Sequence, residues 1–204
     1  MIEVVVFDGI HNIGKTTLAK KVSEELKLPL KPEMSAMILK DVTEIIDFTA
    51  ISDTLARYYT QKAIFWAEMA KFEYFMNKLT YSSLHEDNPK MLFIADRSPL
   101  SVVGYSRAFG FPITKDEKDR LNRIVHKIKH VFLFVPSKKF LKNLGQKCEN
   151  KNVPSFETLN TLIMDVYEEY VPNEKISKIL LSDITDMDNV YEYIVPVIKS
   201  FMEG

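Results

Sequence analysis

Residues Gly9 to Thr16, G-I-H-N-I-G-K-T, have the spacing G-x-x-x-x-G-K-[ST]. Glycines at such positions let the backbone curl so that successive N–H groups point inward. The positive end of a following helix adds to them, and together they make an anion site. A lysine and a hydroxyl at its end suit a nucleoside triphosphate: Lys15 reaches the β- and γ-phosphates, and Thr16 sets its hydroxyl on the accompanying Mg²⁺. Gly9, Asn12, Ile13, Gly14, Lys15, Thr16 and Thr17 are therefore the expected nucleotide-binding residues, with ATP and Mg²⁺ as the expected cofactors. The flanks agree. Val4, Val5, Val6 and Phe7 read as a strand buried on both faces, and Leu18, Val22 and Leu26 recur at helical spacing over Lys15 to Leu26.

A second candidate group is Asp96-Arg97, which follows the apolar run Met91 to Ala95. An acid at the carboxyl end of a strand beside the first one can reach the Mg²⁺ or its waters, so Asp96 joins Thr16 as an expected metal ligand. Arg97 is one of five arginines, with Arg57, Arg107, Arg120 and Arg123. Its planar fork suits bidentate recognition of phosphate in a way lysine cannot copy; the other reading is an internal ion pair with Asp96 or Glu33. Glu33 ends a brief extended segment, Leu28 to Pro32. It either meets an acceptor substrate at the ligand crevice or simply favours a helix amino terminus.

These groups need elements to hold them. A long helix is expected from Ser52 or Asp53 to near Leu79, dense in aromatic residues. Most of those rings belong to the core, but a base-binding slot needs a ring to stack on. Phe65, Phe72, Arg57 and Gln61 are the candidates for it. A weak helical pattern covers Met34 to Phe48, and Tyr81 to Lys90 reads as a loop. Helices follow from Pro99 to about Phe109 and from Thr114 to about Lys127, the second opened by a capping box with Glu117. Val131 to Val135 is a buried strand stopped by Pro136, and Ser137 to about Leu144 a helix. Gly145 to Pro154 is polar; it is either a mobile lid around residues 142–154, closing over the nucleotide with Lys142, Lys147 and Lys151, or a solvated loop. A helix to Tyr170, a strand at Lys178 to Leu181 and a terminal helix from Met187 to Met202 complete the chain. His126 and His130 have metal-ligand spacing but no third ligand, so they read as structural. The alternation implies a single domain, residues 1–204: a three-layer α/β/α sandwich around a mainly parallel five-stranded sheet.

Composition narrows the function classes. With 204 residues, 46% of them hydrophobic, the chain can bury a substantial core. Lys and Arg number 27 against 28 Asp and Glu, a balance without the electrostatic footprint expected for a nucleic-acid polymer or a membrane. One cysteine, Cys148, excludes an intramolecular disulfide and suits a reducing compartment. Neither a leader nor a run of transmembrane length is expected, which points to a cytoplasmic location. The aromatic helix offers apolar surface for a homodimer.

Taken together, these features resemble the nucleoside and nucleoside-monophosphate kinases, and thymidylate kinase most. That family opens with an aromatic, an acid, glycine and then the phosphate loop, which stands here as Phe7-Asp8-Gly9 to Gly14-Lys15-Thr16-Thr17. Its second motif, D-R-Y-x-x-S-x-x-A-Y-Q, keeps Asp96, Arg97, Ser101 and Tyr105 and departs at Ser98, Gly104 and Ser106. Ser98 and Pro32-Glu33 pull toward the sister deoxynucleoside kinases, where the corresponding glutamate is the base for the sugar hydroxyl. The resemblance implies an ATP-dependent kinase acting on a nucleoside monophosphate, foremost a pyrimidine deoxynucleotide. Asp8, Ser101 and Tyr105 would join Arg57, Gln61, Phe65 and Arg97 on the acceptor, with Lys15, Asp96, Arg97 and Glu33 as the reacting groups. A deoxynucleoside kinase is the second reading. Residues 136–170 contain no arginine, whereas these families carry lid arginines there, so a nucleotide-binding protein with little turnover is the third.

Overall fold

A computed structural model describes residues 2–33, 53–83, 91–147, 154–182 and 186–203. Five strands, β1 (Ile2–Gly9), β2 (Leu30–Lys31), β3 (Met91–Asp96), β4 (Ile128–Pro136) and β5 (Ile176–Leu181), form one all-parallel sheet in the order β2-β3-β1-β4-β5. Central β1 has no exposed surface at Val4, Val5, Val6 or Phe7, because helices cover both faces of a parallel sheet and the strand must be apolar throughout. Among the described residues seven α-helices accompany it: α1 (Lys15–Leu26), α2 (Asp53–Ser83), α3 (Pro99–Ala108), α4 (Lys115–Val125), α5 (Lys138–Lys147), α6 (Phe156–Tyr170) and α7 (Met187–Glu203).

Register decides what meets at the carboxyl edge. Phe7 pairs with Asp96 on one side and with Phe132 on the other. The acid that ends β3 therefore lies beside the start of the phosphate loop. Lys31 pairs with Ala95, which brings Glu33, two residues on, toward Arg97. β1 sits between β3 and β4, so the chain leaves it toward opposite sides, and ligands of such sheets bind in the crevice this creates.

Local chemistry explains the helix ends. Ser98 caps α3 by accepting from the Leu100 N–H, with Pro99 in the first turn. Thr114 and Glu117 form the expected capping box on α4, and Ser155 caps α6 through the Thr158 N–H. Helix α1 differs: its N-cap is Gly14, in a left-handed conformation, with no side-chain cap and no acid in the first turn.

Some boundaries differ from the sequence reading. The aromatic helix continues to Ser83, through part of the expected loop, and α5 takes in 145–147, which the polar composition had assigned to the lid. β4 starts at Ile128, so His130 lies inside a strand while His126 caps α4. His130 Nε2 meets the Ser177 hydroxyl at 2.9 Å, a structural contact. The helical pattern at Met34 to Phe48, residues 84–90 of the loop expected at Tyr81 to Lys90, and the lid residues 148–153, with Lys151, lie outside the described residues. Among those described, no helix is long and apolar enough to cross a membrane.

Helices α3 and α6 approach closely at Gly104. A Cβ there would stand 2.7 Å from Ile163 Cγ1 and 2.9 Å from Ile163 Cα, and the second of these is backbone that cannot swing aside. The glycine that departs from the kinase motif is thus required by packing. Gly104→Ala gains helix propensity but overpacks this crossing, and we expect a net loss of about 1–2 kcal/mol. Urea denaturation of the two proteins checks it; equal or greater stability of the variant contradicts it.

Candidate functional site

The phosphate loop is a run of unusual backbone. Gly9 has φ +140°, and a Cβ there would lie 2.6 Å from the Phe134 carbonyl oxygen. Asn12 (φ 62°) and Gly14 (φ 88°) are left-handed as well, and Asn is among the few side chains that tolerate this. The loop thereby delivers the first-turn N–H groups of α1, uncapped by any side chain, to the crevice. Lys15 is 4% exposed and its ammonium donates to the Ile10 carbonyl oxygen. Burial, then the neighbouring Arg97 charge, lowers its pKa to about 7, against the opposing pull of Asp8, Glu33 and Asp96.

Asp96 faces it from β3. The side chain is buried, and neither carboxylate oxygen has a hydrogen-bonding partner at proper geometry, although the Thr16 hydroxyl is close enough to favour the charged form. Burial raises its pKa, with Glu33 adding to the shift and Thr16, Lys15 and Arg97 opposing it. A buried carboxylate without donors, facing a hydroxyl, is costly unless a cation completes it. That donor set of hard oxygens fits Mg²⁺ bound partly through phosphate and water. Among the described residues no cluster of three or more His, Cys, Asp or Glu side chains could hold a metal unaided.

Arg97 is left-handed, φ 67°, and its N–H donates to the Phe7 carbonyl oxygen at 3.0 Å. The strain of this non-glycine conformation is held by neighbours on both sides. Of the two internal ion pairs open to it, the one formed is with Glu33: Nε lies 2.8 Å from Oε1, without the N–H aimed along that line. The guanidinium also lies 5.6 Å from the centre of the Tyr105 ring. Burial works against its charge, but Tyr105, Glu33 and Asp8 more than offset this and raise its pKa.

Asp8, expected on the acceptor, is fully buried and engaged elsewhere. Its Oδ1 accepts from the Gly9 N–H at 2.7 Å, and its Oδ2 from the Ser98 N–H at 3.1 Å and the Tyr167 hydroxyl at 2.5 Å. Because Tyr167 spends its one proton on Asp8, the Ser98 hydroxyl 2.7 Å away must donate to the Tyr167 oxygen, while accepting from the Leu100 N–H. Burial, then Asp8, holds the Tyr167 pKa well above its usual value. Asp8 thus supports the site from behind.

In front of these groups opens a cavity of about 670 Å³. The loop residues His11, Asn12, Ile13, Gly14, Lys15 and Thr16 line one side; Glu33, Arg97, Ser101, Val102 and Tyr105 line the middle; Gln61, Ile64, Glu68 and Phe109 close the far side. Gly9 and Thr17 are not among the lining residues. Two expected rings, Phe65 and Phe72, do not line the cavity. Phe65 is 2% exposed, and Phe72, fully buried, packs edge-on to Phe93. Helical periodicity turns Gln61, Ile64 and Glu68 inward instead. Besides His11 and Tyr105, the ring that meets the cavity is Phe109, with Arg57 6.0 Å over its face. Arg107 is paired with Glu169 at 2.6 Å.

Sequence reasoning passed over four residues here: His11, Glu68, Phe109 and Tyr167. His11 occupies a variable position of the loop motif, which was the one available signal. Its Nδ1 meets the Tyr105 hydroxyl at 2.9 Å and its ring packs against Phe156. Burial, then Arg97 and Lys15, lowers its pKa to about 4 against the opposing effect of Glu33. The unfolded chain takes up this proton near pH 6.5 and the folded one does so near 4, so the contribution of His11 to stability is complete above that window and lost as pH falls through it.

A parallel sheet of this order, with a glycine-rich loop leading into α1, defines a P-loop NTPase. More particularly, the chain belongs to the AAA domain family, whose sequence profile matches residues 4–173. No curated protein sequence matches it. Solved structures similar along nearly the whole length include the thymidylate kinase of Ehrlichia chaffeensis, with a TM-score of 0.54, 17% identity and 97% and 98% of the two chains covered. The YorR protein of Bacillus subtilis, in complex with phosphorylated GDP, gives 0.53, 16%, and 98% of each chain. The deoxyadenosine kinase of M. mycoides, with dCMP and dCDP, gives 0.51, 14%, and 97% and 99%. At these identities the likeness establishes the fold.

The lowered Lys15 pKa fixes a pH dependence. Phosphate binds the ammonium form, and the free site holds that form with a pKa of about 7. Above this pH, binding must take up a proton, so triphosphate affinity falls by about tenfold per pH unit until the bound-state pKa is reached. Calorimetry at pH 8 in buffers of different ionisation enthalpy measures the uptake. An affinity that stays flat from pH 7 to 9 contradicts it.

Proposed function

We propose that the protein is an ATP-dependent kinase that transfers the γ-phosphoryl group to a nucleoside or nucleoside monophosphate. The observation that carries this reading is one cavity lined by Lys15, Thr16, Glu33 and Arg97, with the buried Asp96 carboxylate beside Thr16 at the end of β3. Its size is within the range of small-molecule sites. Likeness of fold to a thymidylate kinase and a deoxyadenosine kinase supports it.

Phosphoryl transfer asks for positioning and charge compensation more than covalent chemistry. The loop N–H groups hold the phosphates, Lys15 neutralises charge between β and γ, and Arg97 meets the acceptor. Mg²⁺, held by Thr16 and Asp96, would neutralise charge on the transferring group. For a monophosphate acceptor Arg97 clamps the phosphate, and no proton need be removed. For a nucleoside, the Glu33 carboxylate takes the proton of the 5′-hydroxyl as its oxygen bonds to the γ-phosphorus and the bond to ADP breaks. The Arg97–Glu33 pair favours the second acceptor: it already balances the arginine and sets a negative charge where a dianionic phosphate would have to enter.

Following ADP release across a panel of nucleosides and monophosphates tests the whole reading, and no release with any of them overturns it. Lys15→Ala should weaken MgATP binding by about 10- to 100-fold, as expected for a lost charge-assisted bond. For a nucleoside acceptor, Glu33→Gln should lower turnover by about 10²–10⁴-fold with binding retained. For a monophosphate acceptor, Arg97→Lys should raise KM and slow transfer, since a point charge replaces a fork. Unchanged kinetics in both variants contradicts both acceptors.

A further inference from the structure

At the far side of the cavity lies an ion pair unrelated to phosphate. Lys31 Nζ, on β2, meets Glu68 Oε2, on α2, at 2.5 Å, with side-chain exposures of 0% and 1%. The lysine packs behind, 5.9 Å from the centre of the Phe72 ring, and does not line the cavity; the glutamate does. A ligand at this end of the cavity therefore stands against the glutamate, with the lysine behind it. Two turns earlier on the same helix face Gln61 lines the cavity too, with Ile64 between them and Phe109 among the other lining residues.

A carboxylate in an ion pair accepts hydrogen bonds and donates none, and its two oxygens have about four lone-pair sites between them. Buried, it discriminates strongly, because a ligand carbonyl brought against it finds repulsion in place of a bond and neither group keeps its water. Bases differ on this point. Cytosine and adenine present an exocyclic amino group, and guanine an amino group beside a ring N–H, whereas thymine and uracil flank their single ring N–H with carbonyl oxygens. Phosphate and sugar would be held at the Lys15 and Arg97 end. The base then extends toward α2, with the Phe109 ring available for stacking and Gln61 able to serve either a donor or an acceptor.

We infer that the Lys31–Glu68 pair makes this an acceptor site for amino-bearing bases and selects against thymine and uracil. The inference rests on the kinase reading for the position of the acceptor. It also runs against the pyrimidine deoxynucleotide of thymidylate kinase type that the sequence resemblance implies.

The test is equilibrium binding by calorimetry, in the presence of MgADP, of deoxycytidine, deoxyadenosine, deoxyguanosine and thymidine and their 5′-monophosphates, with ADP release from ATP measured in parallel. At least one amino-bearing base should bind about tenfold or more tightly than thymine in the same sugar-phosphate form. Equal or tighter binding of the thymine compounds overturns the inference even if they are phosphorylated. Selective binding without turnover leaves the inference standing and removes the kinase reading, and no binding by any compound overturns both. Glu68→Gln alone strands a buried lysine and can fail to fold. The partner variant is Lys31→Met combined with Glu68→Gln, which removes both charges at similar volume and gives the helix an amide that can also donate. Its discrimination should fall to within a few-fold. Full discrimination in the folded double variant overturns the assignment to this pair.

Discussion

The site depends on one buried carboxylate. Asp8 is the penultimate residue of β1, and its two oxygens collect the Gly9 N–H at the start of the phosphate loop, the Ser98 N–H after Arg97 and the Tyr167 hydroxyl from α6. Three segments far apart in sequence are thereby fixed to a common point. In a medium of low dielectric such bonds strengthen one another when all are made, and each missing partner costs about 1–3 kcal/mol. The strained backbone at Gly9 and Arg97 lies on either side of this carboxylate. Asp8 is therefore what allows the loop and the Arg97 turn to hold conformations that neither would keep alone.

In front of that support the charges are nearly balanced and crowded. Arg97 lowers the Lys15 pKa while Glu33 and Asp96 oppose that fall, and Glu33 also raises the pKa of Arg97. The lysine stands near its titration point, and Asp96 carries oxygens without donors. Phosphate and a divalent cation, in the proposed reading, would supply the charges that complete such a site. Electrostatic preorganisation of this kind assists a reaction because the dipoles and charges need no rearrangement as charge shifts.

The helices set how deep the cavity is and what lies at its end. Gly104 lets α3 settle against Ile163 of α6. That contact lies on the same helix that supplies the wall formed by Ser101, Val102 and Tyr105. On the opposite side α2 presents Gln61, Ile64 and Glu68, while its neighbours Phe65, Met69 and Phe72 go to the core.

The local order of elements was legible in the chain because short-range physics decides it. The loop spacing, the β-branched run before it, the proline opening α3 and the capping box of α4 each act within a few residues. Asp96, Arg97 and Glu33 were recognisable for the same reason, as polar residues at the ends of apolar runs. Which partners they take was not legible. Asp8 was assigned to the acceptor, yet Tyr167, 159 positions away, takes it for the core. Arg97 had two acids to choose from, and register delivered Glu33. In α2 the aromatic stripe spreads round more than one helix face, so periodicity could not say which face met the crevice. The close packing of α2 on the sheet buries Phe65 and turns Gln61 and Glu68 to the ligand. Sequence alone determined the phosphate-loop motif at Gly9 to Thr16 and its place between a strand and a helix; only the parallel register and helix packing decided which side chains face that loop, because these are contacts between segments that no local pattern encodes.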